Sequence, residues 1–224
     1  MQALESKKRY FDNYWREQPT DIADPRALER AAVVEWLLRH REGRLLDIGC
    51  GRGLVLEYFA YRGYDAVGAD ISPEAVESLD SRGFDCRLYD IESDYISEKF
   101  EIILCLEVLQ QLYDPKAALE TMRAALAEGG ELVVSVPNEF HLVSRLRILF
   151  GITHLGHFEH SHIRLFTPRR AREIFDKAGL KVMRKADISI APPRWKWLAA
   201  LCRPLAMLMP SLFSLSTVYV LEAR

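Results

Sequence analysis

The segment LLDIGCGRG at residues 45–53 constrains the fold of this 224-residue chain more than any other. It begins like a short buried strand and continues with glycines at alternate positions, before a helix predicted to begin at Leu54. Glycine adopts positive φ readily, so such a turn brings backbone N–H groups close to a ligand, beside an electropositive helix N-terminus. An acid at the strand end would meet a ligand's ammonium group or the N–H groups of the turn. The predicted ligand positions are Asp47, Gly49, Cys50, Gly51 and Gly53.

Helix signals and apolar runs alternate along the rest of the chain. Four dipeptides offer an N-cap oxygen followed by proline at the first helical position: Asp24-Pro25, Ser72-Pro73, Asp114-Pro115 and Thr167-Pro168. Glycines predict the helix ends, at Gly83, Gly129-Gly130 and Gly179. The predicted strands are 44–48, 66–70, 86–89, 100–106, 131–136, 180–182 and 217–223, and two helices, 5–17 and 25–40, precede them. Strands alternating with helices predict an α/β fold with a parallel sheet.

Ligands of such sheets bind beyond the carboxyl ends of the strands. Asp70 ends the second predicted strand, where its carboxylate can accept both hydroxyls of a ribose, and Ile71 beside it can pack against a base. A dinucleotide-binding protein would show G-x-G-x-x-G, whereas the spacing here is G-x-G-x-G. Asp47 would also repel a pyrophosphate. The glycine turn therefore favours a different nucleoside-containing ligand over a dinucleotide.

Together these residues resemble the S-adenosyl-L-methionine (AdoMet) site of class I methyltransferases, over roughly residues 40–185. The resemblance is to methyltransferases of types 11, 12 and 23, including those that O-methylate ubiquinone precursors and glycans. It implies a Rossmann-like, mostly parallel seven-stranded sheet with helices on both faces. It also implies AdoMet as cofactor and S-adenosyl-L-homocysteine as product. By the same resemblance Asp90 receives the adenine amine, with Ile91, Leu106 and Tyr14 as further cofactor contacts.

The segment after the fourth predicted strand departs from the family. Residues 107–112, EVLQQL, are similar to the family's E-V-L-E-H-L, but Gln110-Gln111 replace the Glu-His pair. The family's histidine is a base or an orienting group in many members. Its absence weakens any mechanism that takes a proton at this loop.

Four histidines, at positions 154, 157, 160 and 162, fall within nine residues. Their spacing does not converge on one point, so we do not expect a metal site. Residues 162–168, HIRLFTP, resemble the H-x-R-x-F-[ST] stretch that precedes the last large helix of the O-methyltransferases. This resemblance makes His162 the candidate catalytic base, since an imidazole can take the proton of a hydroxyl or amine. A purely structural role for His162 stays open.

We expect a single methyltransferase domain over 1–224. Its predicted parts are a helical lid (1–40), a cofactor-binding core (41–138), a substrate-cap insertion (139–167) and a C-terminal part (168–224). The last part contains an apolar insertion, 194–213, in which cations lie beside tryptophans. It would either pack on the core or at a homodimer interface, which we favour, or face a membrane or a lipid-linked substrate.

Composition limits the partners and the compartment. A net charge of -2 from mixed acids and bases does not indicate nucleic acid binding. The four cysteines are widely spaced, and the charged first residues lack an apolar signal core, so we expect a cytoplasmic protein, with peripheral membrane contact left open. The predicted activity is AdoMet-dependent methylation of an oxygen or nitrogen of a small or lipid-linked molecule. The alternative is a MetW-like methyltransferase-fold partner of a biosynthetic acyltransferase, suggested by Gln110, VPN at 136–138 and the RLRIL segment at 145–149.

Overall fold

The computed structural model describes residues 2–17, 24–152, 162–191 and 195–224. Its strands, in chain order, are β1 Arg44–Ile48, β2 Asp65–Asp70, β3 Cys86–Leu88, β4 Phe100–Leu106, β5 Leu126–Pro137, β6 Leu180–Ser189 and β7 Ser214–Ala223. The helices are α1 Gln2–Glu17, α2 Pro25–Leu37, α3 Leu54–Ala60, α4 Pro73–Asp80, α5 Pro115–Ala125, α6 Leu142–Leu149, α7 Pro168–Lys177, α8 Lys196–Leu208 and α9 Pro210–Phe213, with a 3₁₀ turn at Leu109–Gln111.

The strands form one seven-stranded sheet in the order β3-β2-β1-β4-β5-β7-β6. The pairs β3–β2, β2–β1, β1–β4 and β4–β5 are parallel, whereas β7 runs antiparallel to both β5 and β6. The predicted seven-stranded, mostly parallel sheet is therefore confirmed. The order reverses beside β1, which places the carboxyl ends of β1, β2 and β4 around the crevice where such sheets bind ligands.

Both faces of the central strands are buried, which explains their continuous apolar runs. Successive side chains point to opposite faces. Leu45 and Ile102 pack on one face with α2 and α3, whereas the neighbouring Leu46 and Ile103 pack on the other with α5 and α7. The core thus lies in two layers, and the sheet between them fixes the positions of the loops at its carboxyl edge.

The four predicted helix caps form as expected. The side chains of Asp24, Ser72, Asp114 and Thr167 accept hydrogen bonds from backbone N–H groups of the first turns of α2, α4, α5 and α7, at 2.8–3.3 Å. Each of these helices has proline at its first position. The caps fix where four connections leave the sheet, and the Ser72 cap lies directly beside the candidate site.

Some predicted boundaries are wrong. Helix α5 ends at Ala125, so Gly129 and Gly130 lie within β5 instead of ending a helix. A Cβ at Gly130 would approach the carbonyl oxygen of Phe100 to 3.1 Å, so this glycine permits close backbone contact with β4. Strand β6 continues to Ser189, beyond the predicted 182, because an edge strand can carry charged side chains on its exposed positions without interrupting its pairing with β7. In the described part of the chain, no helix is both long enough and apolar enough to span a bilayer.

A buried carboxylate joins α2 to the sheet. Glu131 on β5 is fully buried, and its Oε2 accepts hydrogen bonds from the backbone N–H groups of Arg39 (2.9 Å) and His40 (3.3 Å). The Arg184 guanidinium on β6 donates to Oε1. A buried charge with these partners is costly to remove on one side only, because the donors are left without an acceptor.

We predict that Glu131→Ala lowers the free energy of unfolding by about 3 kcal/mol, measured by urea denaturation. Glu128→Ala is the matched control, since Glu128 is an exposed glutamate on the same strand. Its substitution should change stability by less than about 0.5 kcal/mol. Equal effects of the two substitutions would contradict the role of Glu131.

Candidate active site

The glycine turn after β1 adopts the predicted left-handed conformations. The φ angles of Gly49, Gly51 and Gly53 are 72°, 53° and 82°. The turn's N–H groups, however, bond within the protein: those of Gly49 and Cys50 donate to the Ala69 carbonyl at 2.7 and 3.3 Å. The turn is also closely covered, since a Cβ on Gly51 would lie 2.3 Å from Cζ2 of Trp15. The glycines are required by close packing as well as by backbone conformation.

Asp70 holds the turn to the start of α4. Its Oδ2 accepts from the Gly51 N–H and its Oδ1 from the Ser72 N–H, each at 2.9 Å. Burial raises the pKa of this carboxyl, and hydrogen bonds from the N–H groups of Ser72, Gly51 and Ile71 oppose the rise. A carboxylate offers about four acceptor positions, so Asp70 retains capacity for a ligand.

Asp47 is buried with an unused oxygen. The residue is 3% exposed, and its Oδ2 has no hydrogen-bond partner. Burial, and then the negative charge of Asp70, raise the pKa of Asp47 to about 8. The two acids therefore make a site that a cationic group would stabilise.

Two adjoining cavities, of about 400 and 370 Å³, lie between α1 and the strand ends. Eight of the predicted site residues line the first cavity: Tyr14, Gly49, Asp70, Ile71, Asp90, Ile91, Leu106 and His162. The second is lined by Tyr14, Asp47, Gly49, Cys50 and Leu106. Gly51 and Gly53 line neither cavity: Gly51 contacts Trp15 and Asp70, and Gly53 lies against Leu79 at the start of α3. The structure thus brings most of the predicted residues together around one connected space.

Cys50 lines the second cavity, and its sulfur also contacts a residue of β3. Its Sγ lies 3.5 Å from Sγ of Cys86 on β3, and this contact, followed by burial, raises the pKa of the Cys50 thiol. A thiol whose pKa is raised is a weak nucleophile at neutral pH. We therefore assign Cys50 a packing role in the wall.

Asp90 lines the first cavity and has a second unused oxygen. Its Oδ1 accepts from the Glu92 N–H at 3.0 Å, while its buried Oδ2 has no hydrogen-bond partner. Lys7 of α1 lies nearby, with Nζ 3.9 Å from Asp90 Oδ1 and 2.5 Å from Glu92 Oε2. A hydrogen-bond donor on a ligand would satisfy the free oxygen.

Helix α1 covers both cavities and is fastened to α4. Oδ1 of Asp12 accepts from the Glu74 N–H at 3.1 Å and from the Ser72 hydroxyl at 3.3 Å. Helix α2, the other part of the predicted 1–40 lid, packs against the sheet, with Val34 fully buried. Within that segment α1 is therefore the helix that covers the site, and α2 forms part of a wall.

His162 lies on the first cavity and is held by a buried glutamate. Its Nδ1 is 2.8 Å from Oε1 of Glu139, a residue that is 4% exposed. Its Nε2 is 3.4 Å from Nε2 of Gln110. A carboxylate at Nδ1 selects the tautomer with hydrogen on Nδ1, so that Nε2 is the acceptor that faces the Gln110 amide. The arrangement suits proton uptake at Nε2.

Gln110 and Gln111 support the loop that follows β4. Their side-chain amides donate to the Glu107 carbonyl at 2.8 and 3.2 Å. Glu107 has φ 59°, a left-handed conformation that is uncommon for a residue other than glycine. The Gln110-Gln111 pair thus has a structural function here, in place of the acid–base function that the family's Glu-His pair would suggest.

Sequence reasoning missed two functional candidates. No sequence motif marks Glu139 as functional; its only distinguishing feature is its position after the predicted fifth strand. Arg30 of α2 lines both cavities, and its buried Nε lies 3.4 Å from Glu107 Oε1 without forming a hydrogen bond. The helical pattern placed Arg30 on the charged face of α2, which is usually solvated. Only the tertiary structure brings it to the cavity.

The remaining histidines of the cluster, at 154, 157 and 160, lie outside the described residues. Among the residues that the structure does describe, no group of three or more His, Cys, Asp or Glu side chains has the arrangement of a metal site.

The raised pKa of Asp47 predicts a pH-dependent stability. The folded carboxyl binds its proton up to about pH 8, whereas the ordinary value is 3.8. The folded state therefore binds more protons, and this residue's contribution to stability falls as pH rises between those values. Asp47→Asn should raise the melting temperature of the ligand-free protein more at about pH 8 than at about pH 5. An equal change at both pH values, in thermal denaturation, would contradict the raised pKa.

Comparison with known proteins agrees with this geometry. Residues 14–185 match the family model described as a methyltransferase domain. A ubiquinone biosynthesis O-methyltransferase of Cereibacter sphaeroides (strain ATCC 17025) is 29% identical over 164 residues, which cover 69% of this chain and 66% of that protein. The match therefore spans slightly less than two thirds of the length of this relative.

Solved structures share the fold. A putative methyltransferase from Haloferax volcanii, solved with the Trm112 methyltransferase activator, has a TM-score of 0.70 and 18% identity, over 95% of this chain and 97% of that one. The N-methyltransferase NodS of Bradyrhizobium japonicum, in complex with S-adenosyl-L-homocysteine, has a TM-score of 0.59 and 19% identity, over 99% and 97%. At these identities the likeness shows the fold.

Proposed function

Because the chain belongs to the methyltransferase domain family, we propose that it is an AdoMet-dependent methyltransferase acting on an oxygen of a small molecule. The observation that carries the proposal is the placement of Asp70, Asp90 and His162 on one cavity, joined to a second cavity that contains Asp47. The similarity to ubiquinone biosynthesis O-methyltransferases supports oxygen as the methylated atom.

The residues present fit AdoMet. Two buried carboxylate oxygens without partners, on Asp47 and Asp90, suit an ammonium group and an adenine amine. Asp70 retains acceptor capacity for a ribose hydroxyl, with Ile71 beside it as an apolar contact for the adenine. Arg30, whose Nε has no hydrogen-bond acceptor, suits the carboxylate of the cofactor. When bound, AdoMet supplies an already activated methyl group on a positively charged sulfur.

The protein's contribution is then orientation and proton removal. The first cavity is lined by His162 together with Tyr10 and Gln111, and an acceptor hydroxyl bound there would take the place of the Gln110 amide beside Nε2. His162 Nε2 would accept the proton that the acceptor hydroxyl loses on methylation. Glu139 fixes the imidazole tautomer and stabilises the positive charge that forms on the ring. Holding the acceptor in line with the methyl group supplies much of the remaining rate.

The alternative of a MetW-like partner protein is not favoured. Curated relatives that share about two thirds of this chain are O-methyltransferases. A non-enzymatic partner protein would also have no need of a buried glutamate that holds a cavity histidine. Turnover of AdoMet to S-adenosyl-L-homocysteine with a panel of phenols and sugars, together with calorimetric binding of the cofactor, tests the proposal.

We predict that Gly51→Ala weakens AdoMet binding by roughly tenfold or more, because its Cβ would displace Trp15 from the wall of both cavities. Gly83→Ala is the matched control: Gly83 also has a positive φ, of 82°, but nothing lies within 4 Å of the added Cβ. It should destabilise the protein and leave AdoMet affinity unchanged in calorimetry. The explanation fails if both variants bind AdoMet like the wild type.

His162→Ala should lower kcat roughly 100-fold while leaving AdoMet affinity nearly intact, because it removes the base. Glu139→Gln keeps a hydrogen-bond acceptor at Nδ1 but removes the charge. It should lower kcat and move the acid limb of the pH profile of kcat/KM to lower pH, since an amide stabilises a protonated imidazole less than a carboxylate does. An unshifted profile in Glu139→Gln would show that Glu139 is merely structural.

A further inference from the structure

Three helices lie over the outer part of the sheet, beyond the carboxyl ends of β5 and β6. Helix α6 follows β5, and α8 and α9 connect β6 to β7, so all three share the edge that holds the candidate active site. Asn138, which follows β5, holds α9 and the start of β7: its Nδ2 donates to the carbonyls of Pro210 (3.2 Å) and Ser214 (2.8 Å). On α6, Arg145 Nη2 donates to the Ser211 carbonyl at 3.4 Å. The helices therefore form a connected, anchored layer.

The outer side of α8 is apolar. Cys202 and Ala206, four residues apart, are buried and form its inner side. Among the α8 residues whose side chains the structure describes, the exposed positions recur at helical spacing and are all apolar: Trp197, Ala200, Pro204, Met207 and Leu208. The exposed fractions are 72% for Trp197 and 79% for both Met207 and Leu208. A surface helix of a water-soluble domain normally places polar residues on this side.

Helix α6 also exposes apolar side chains. Four large apolar side chains at its end are exposed, with Leu149 and Phe150 each at 76%. We call the exposed apolar residues of the two helices the outer apolar surface; its members are Leu146, Ile148, Leu149, Phe150, Trp197, Met207 and Leu208. The predicted packing of this insertion on the core therefore accounts for Cys202 and Ala206 but leaves the outer apolar surface uncovered. Exposed apolar patches of this kind mark interaction sites.

The charges in these segments identify the partner. Residues 140–152 and 195–213 contain four cations, Arg145, Arg147, Lys196 and Arg203, and no aspartate or glutamate. The whole chain, by contrast, has 30 basic and 32 acidic residues. A second copy of the chain docked through the same surface would bring like charges together, which is unfavourable. Tryptophan and basic residues beside an apolar helix side instead suit the headgroup layer of an anionic bilayer.

We propose that the outer apolar surface docks the protein on an anionic lipid bilayer. The apolar side chains enter the interface, and the positive charge of segments 140–152 and 195–213 favours anionic headgroups. Glu139, which holds His162, lies only three residues before α6. Docking would therefore bring the acceptor side of the cavity close to the bilayer. The docking itself does not rest on the proposed methyl transfer and is tested separately from it.

The full-length protein should sediment with vesicles of equal parts phosphatidylcholine and phosphatidylglycerol, and much less with pure phosphatidylcholine. High salt should release only part of it, because apolar insertion is not screened. Trp197→Ser on α8 and Phe150→Ser on α6 should each reduce the bound fraction roughly tenfold. Both side chains are largely exposed, so melting temperatures should stay close to that of the wild type.

Trp36→Ser is the matched control, since Trp36 is 71% exposed but lies at the end of α2, by the opposite edge of the sheet. It should bind vesicles like the wild type. The proposal is overturned if the wild-type protein stays in the supernatant with anionic vesicles, or binds both vesicle types equally. It is also overturned if Trp197→Ser and Phe150→Ser bind undiminished, or if light scattering shows a dimer that Trp197→Ser dissociates.

Discussion

The pair of hydrogen bonds from the N–H groups of Gly51 and Ser72 to the Asp70 carboxylate organises this molecule's functional edge. One bond fixes the glycine turn after β1, and the other fixes the first turn of α4. Asp12 of α1 bonds to the same first turn of α4. Asp70 therefore also positions the covering helix α1, through α4. Trp15 then packs directly on Gly51. A single acid at a strand end thus determines the shape of both cavities.

Placing acids in this edge has an electrostatic cost that a cationic ligand would offset. Asp47 and Asp70 are both buried, and the pKa of each is raised, first of all by burial. The pKa of Asp47 is raised further by the charge of Asp70. A positively charged ligand would relieve this repulsion and favour the ionised carboxylates. The two buried acids therefore lower the stability of the ligand-free protein. Binding sites commonly reduce stability in this way.

The cofactor half of the site could be predicted from sequence because local rules define it. A turn with alternating glycines needs positive φ, and acids that end adjacent parallel strands must meet at one edge. Asp70 and Asp90 follow from those two facts. The Glu139–His162 contact and the position of Arg30 could not be predicted, since each joins elements distant in sequence. The exposure of the apolar side of α8 could not be predicted either, because an apolar composition indicates that a segment is buried without indicating which surface covers it.

The central claim is that Asp70 both builds the cavity and receives the ribose of the cofactor. A double-mutant cycle separates these two roles, pairing Asp70→Asn with S-adenosyl-L-homocysteine and its 2′-deoxy analogue in calorimetry. Effects on cavity shape cancel in the cycle, whereas a direct carboxylate–hydroxyl bond does not. We expect a coupling free energy of about 1.5 kcal/mol or more. A coupling near zero, with both ligands weakened equally, would contradict the claim.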